Sequence, residues 1–147
     1  TGRVFGRSLV VVEEGAKATV IERYASGDLA GPVSASSVVE LYVAQGAELE
    51  HLSVIDWGAG VRHHALLRAR VDRDARARPV VVTLGGDVVR VEPTVVCPGP
   101  GADARALALS FAAGDQHADH RVASPPDAPN AHPHPPPPGP THPRPPH

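Results

Sequence analysis

One short turn comes round four times in this sequence at a nearly constant interval. Glu14-Gly15-Ala16, Gln45-Gly46-Ala47, Arg73-Asp74-Ala75 and Pro100-Gly101-Ala102 place its central residue at 15, 46, 74 and 101, intervals of 31, 28 and 27 residues. A period close to 28 marks a chain built from stacked copies of one supersecondary unit, because a single copy cannot bury its apolar face alone. Helical repeats of similar length exist, so the residues between the turns decide the class. They alternate. Val39, Leu41 and Val43 share one face of a strand, with Glu40 and Tyr42 on the other. His63, Ala65, Leu67, Ala69 and Val71 stand against His64, Leu66, Arg68 and Arg70, and Val89 and Val91 against Arg90 and Glu92. Period-two alternation is the strand signal, and the β-branched valines favour it.

Each unit therefore reads as strand, turn, strand, turn. The strands preceded by the repeated turn are Thr19 to Tyr24, Leu49 to Trp57, Arg78 to Leu84 and Ala106 to Phe111; Leu9 to Val12 is a Val-rich strand before the first turn. Two strands per coil, stacked at about 4.8 Å, make an all-β solenoid whose inward side chains form ladders in a narrow core. Aromatic residues make up only 3% of the chain and Met is absent, which suits a slender interior. Val39, Leu67 and Leu107 are expected in that core. Residues 1 to 8 carry no readable pattern, and residues 25 to 35 read as a loop that lengthens the first interval. Trp57-Gly58-Ala59-Gly60 and Gly85-Gly86-Asp87 read as turns, because no phosphate-binding glycine pattern accompanies the paired glycines.

The chain has 147 residues, room for one domain, and divides at a sharp change of composition into 1–122 and a Pro/His-rich segment, 123–147, read as disordered or extended. The abruptness suggests a non-native tail from a shifted reading frame, which translation of the other two frames downstream would test. A formal charge of −2 gives no basic excess for nucleic acid or an anionic membrane. The single cysteine, Cys97, excludes an internal disulfide framework and fits a reducing cytoplasm. No apolar run approaches the roughly 20 residues that span a bilayer, and no signal peptide is apparent. The chain begins with Thr1 rather than Met, which reads as a processed chain or a fragment.

Four runs together resemble the SufBD family, and within it the SufD branch. They are LVVVEEGAKATVIERY (Leu9 to Tyr24), LEHLSVIDWGAGVRHHALLRARVDRDA (Leu49 to Ala75), VVVTLGGDVVRVEP (Val80 to Pro93) and DQHADHR (Asp115 to Arg121). The resemblance implies a right-handed parallel β-helix, in agreement with the solenoid reached from the repeat. It also implies a non-catalytic scaffold in iron–sulfur cluster assembly, paired with a SufB-like protein and served by a SufC-like ATPase. No tightly bound cofactor is expected, the cluster being held transiently by the full complex. The family's later coils and C-terminal helical region have no counterpart here, so the β-helix is expected to be truncated. The cysteine and histidine the family uses near the partner interface belong to that absent region, so neither is carried over.

His117, Asp119 and His120, with Asp115 alongside, are the densest metal-capable group. Imidazole and carboxylate suit iron or zinc, but a closed site needs about four ligands. The competing and favoured reading is a structural turn in which Asp and His bond the backbone. A β-solenoid or cupin-like metalloenzyme using His117 and His120, or a purely structural β-helix, is the alternative function. His63 and His64 point to opposite faces and cannot share an ion; with His51 they read as core or surface histidines. Cys97 lies in an apolar stretch with no cation nearby in sequence and reads as an inert small hydrophobe. Arg68, Arg70, Arg73, Arg76 and Arg78 read as a solvated basic face, not a nucleic-acid site. His132, His134, His142 and His147 would bind nickel or zinc only weakly.

Overall fold

Val-rich alternating segments, broken by turns too frequent for helices, fold into parallel strands stacked coil on coil. The computed structural model describes residues 2–111 and 117–121; the calls on Asp115 and on the 123–147 tail lie outside them. The described residues form ten strands in two sheets. The first sheet holds β1 (Gly2–Val12), β3 (Val33–Val43), β5 (Val61–Val71), β7 (Val88–Val96) and β10 (His117–His120), in that spatial order. The second runs β2 (Lys17–Ala25), β4 (Glu48–Asp56) and β6 (Arg76–Gly85), with β8 (Asp103–Ala104) and β9 (Leu107–Ser110) both paired to β6. Every ladder is parallel, and the chain passes alternately between the two sheets as it winds, giving a β-solenoid of about four turns.

The repeated turn explains why the coils stay in register. Gly15, Gly46 and Gly101 have φ of 68°, 65° and 74°, and Asp74 at the equivalent place has φ 54°. Glycine enters this left-handed region without steric cost, and Asp is among the few side chains that tolerate it. The turns bond directly to one another: the N–H groups of Gly15, Gly46 and Asp74 donate to the carbonyls of Gln45, Arg73 and Pro100. The alanine that follows, Ala47 or Ala75, is completely buried.

The interior is a single cluster drawn from both sheets, with Val39, Leu41, Val43, Leu67, Val71, Val89 and Val91 from one and Leu49, Ile55 and Val81 from the other. Three expectations are corrected. Of the unread N-terminal residues, Gly2 to Ser8 belong to β1, which pairs along its whole length with β3. The loop after β2 is shorter than 25–35, because β3 begins at Val33. Leu107 is not in the core: it is 52% exposed, and Leu109 and Phe111 also face out. The register aligns Ala108 with the buried Val81 and so turns its large neighbours outward. Alternation had shown which residues share a face, but not which face was inward.

Candidate functional site

Three groups of chemically capable side chains lie on this scaffold: the β10 motif, a polar seam inside the solenoid, and the outer face of the first sheet. β10 stacks on β7, with His117 opposite Val88, Asp119 opposite Arg90 and His120 opposite Val91. His117 and Asp119 thus occupy alternate positions of one strand, and His120 falls in the neighbouring column, the one that runs through Val91, Ala65 and Ser37. Asp119 is held by cations: its Oδ2 lies 3.4 Å from Arg90 and 3.2 Å from Arg121. Among the described residues no group of three or more His, Cys, Asp or Glu side chains is placed to hold a metal ion.

Stacking creates the internal seam from residues far apart in sequence. His63 is 3% exposed. The Trp57 indole N–H donates to its Nδ1 at 3.0 Å. That fixes the proton on Nε2, which donates to Ser37 Oγ at 2.9 Å. Tyr24 closes the group, its ring centroid 5.5 Å from His63 and 6.3 Å from Trp57. Burial, reinforced by His64 next door, lowers the His63 pKa to about 4, so the ring is neutral at ordinary pH. Burial, then the Glu22 charge, raises the Tyr24 pKa, opposed by hydrogen bonds to Ser8 and Ser37. Along the second sheet, His51 Nε2 lies 3.1 Å from Glu22 Oε2, while His51 Nδ1 and Ser53 Oγ are buried without a hydrogen-bond partner among the described residues. The cavity that Tyr24, Ser37 and Ser53 help to line measures only about 10 Å³, room for no more than a water.

Sequence reasoning left His51 and His63 as core or surface histidines, and the structure buries both; it did separate His63 from His64, which points outward to Glu92 at 3.2 Å. It missed the pairings with Glu22, Ser37 and Trp57. The repeat period was the signal available for one of them, since Glu22 and His51 are 29 positions apart, about one coil. Cys97 is half-buried, and burial followed by the Asp103 charge raises its pKa, which keeps it a thiol. The arginine run does not form one face. Arg68 and Arg70 project from β5 on the first sheet, Arg73 sits in a turn beside Asp74, and Arg76 and Arg78 belong to the second sheet, where Arg78 binds Asp103 at 2.8 Å.

No helix among the described residues is long and apolar enough to cross a membrane. Residues 2–134 match the family described as SUF system FeS cluster assembly, SufBD core domain. The chain is 36% identical over 118 residues to an iron–sulfur cluster assembly SufBD family protein of Mycobacterium leprae, an overlap covering 80% of this chain and 26% of that protein. A SufBD family protein of Mycobacterium tuberculosis is 35% identical over 118 residues, 80% of this chain and 28% of the relative. One from Staphylococcus epidermidis is 26% identical over 126 residues, 86% of this chain and 27% of the relative. The chain thus spans about a quarter of the length of these relatives. No solved structure matches it.

Proposed function

Because the chain belongs to the SufBD family of iron–sulfur cluster assembly proteins, we propose that it is a non-catalytic scaffold segment of the SufD branch. On this reading it works in the cytoplasm and pairs with a SufB-like protein in a complex driven by a SufC-like ATPase. The observation that carries the reading is the family match along nearly the whole chain, joined to a solenoid reached separately from the repeat. A non-catalytic role is supported by the chemistry inside: His63 is held neutral by burial and spent on Trp57 and Ser37, and the raised Cys97 pKa keeps that thiol a poor nucleophile.

What such a segment offers is a stacked surface whose first and last described coils expose apolar side chains. Val4 and Phe5 on the first coil are 50% and 78% exposed, and Phe111 after β9 is 62% exposed. Apolar end coils with unpaired backbone groups are templates for further pairing. The chain alone is therefore expected to be poorly soluble and to be rescued by a SufB-like partner. Co-expression followed by size-exclusion chromatography and sedimentation tests this. A stoichiometric complex supports the reading, and an unchanged solubility and oligomeric state counts against it.

A further inference from the structure

The outer face of the second sheet is organised in columns, because strands in register stack equivalent side chains on successive coils. Ile21, Leu52, Val80 and Leu107 form one column, apolar from the first described coil to the last. Beside it, Val54, Val82 and Leu109 follow Arg23, whose charge is held by Asp56 at 2.7 Å. Ile21 and Leu107 are 67% and 52% exposed, and Leu84 and Phe111, 44% and 62% exposed, extend the stripe at one edge. A contiguous exposed apolar surface of this kind marks an interaction site.

Charged columns lie on the other side of the stripe. Lys17, Glu48, Arg76 and Asp103 alternate in sign from coil to coil. The column between them and the stripe reads Thr19, Glu50, Arg78 and Arg105, the last placed by its backbone N–H, which donates to the Ala77 carbonyl. Within the chain Lys17 pairs with Glu48 at 3.1 Å, and Asp103 with Arg78 at 2.8 Å and Arg105 at 3.9 Å. Glu50 and Arg76 make no ion pair with a described residue. A column of alternating sign has a property that a one-signed column lacks: turned end for end, it complements itself.

We propose that this face packs against the same face of a second copy of the chain, about a two-fold axis parallel to the strands. That axis keeps each column on itself and reverses the coil order, so the first coil meets the fourth and the second meets the third. Lys17 then faces Asp103 of the second copy, and Glu48 faces its Arg76. Glu50 faces Arg78 of the second copy, and in the stripe Ile21 faces its Leu107 and Leu52 its Val80. A two-fold axis along the solenoid would instead exchange the ends of each strand. It would lay the charged columns on Val54, Val82 and Phe111 and bury charge against apolar surface. Packed sheets stand about 10 Å apart, a gap that facing arginine and glutamate side chains span. Nine-residue strands at ~3.3 Å per residue and four coils at ~4.8 Å give about 570 Å² per copy and about 1,100 Å² for the pair. This is the low end of specific interfaces, so the dimer should dissociate on dilution. The proposal goes beyond the cluster-assembly reading: it uses the flank of the solenoid and needs no Suf partner, so the two fail separately.

The test is sedimentation velocity of the full chain over a dilution series, which should show a monomer–dimer equilibrium. Arg76→Glu and Glu48→Arg each set like charges face to face twice in the dimer and should weaken it on the order of tenfold or more. The double variant restores opposite charges at both places and should return close to the parent affinity, a coupling that independent surface changes lack. Arg68→Glu, on the outer face of the first sheet, should dimerise as the parent does. Circular dichroism and urea titration check that each variant folds. Should a charge variant not fold, Leu107→Ser in the apolar column should weaken the dimer in its place. A chain monomeric throughout, a double variant as weak as the single ones, equal weakening by Arg68→Glu, or a higher assembly that these changes leave intact would each overturn the proposal.

Discussion

Leu41→Ala tests the core directly. Leu41 is 2% exposed and its column runs through Val10, Ala69 and Val95 on the coils either side. Truncation removes three carbons, about 2.4 kcal/mol at ~0.8 kcal/mol each. The hole adds to this, because hydrogen-bonded ladders above and below hold the coil spacing and keep the site from collapsing. If roughly 40 Å³ persists, a further ~1 kcal/mol is lost. The expected total is about 3 kcal/mol, a fall of roughly 10 °C or more in Tm for a domain of this size. Leu107→Ala is the control: the same chemistry on a leucine that faces out, expected to cost under about 1 kcal/mol. Urea unfolding followed by circular dichroism measures both. Equal losses would refute the inward and outward assignment, and with it the stacked-ladder core.

The remaining predictions concern the seam and the turns. His63 is neutral in the folded chain with its pKa lowered to about 4, so the unfolded chain binds the proton first as pH falls. Stability should therefore drop from about pH 6.5 down to about 4 and then level, by on the order of 3 kcal/mol; Trp57 fluorescence reports it, and His63→Gln should remove that part of the pH dependence. Trp57→Phe leaves His63 Nδ1 buried without its donor and should cost about 1–3 kcal/mol by thermal unfolding. Ser53→Ala removes a buried hydroxyl that has no partner and should leave stability unchanged or raise it in urea titration. Gly46→Ala forces a Cβ into φ 65° with open space around it, so only the backbone strain of about 1 kcal/mol should appear as a lower urea midpoint.

The turn interval and the alternation of Val39, Leu41 and Val43 determined by themselves that the chain is all-β, that each coil has two strands, and that the solenoid is stacked. These are local properties: a left-handed turn residue and a two-residue side-chain period need no distant contact to be read. The motif runs carried the family as well. Three things waited for the tertiary structure. Ala108 rather than Leu107 faces the core, because the β6–β9 register fixes the inward column and alternation alone does not. Glu22 meets His51, and Ser37 meets His63, because pairing across coils depends on where each turn closes. The arginine run divides between two sheets, because the turn at Asp74 falls in its middle, which puts Arg68 and Arg70 on one sheet and Arg76 and Arg78 on the other.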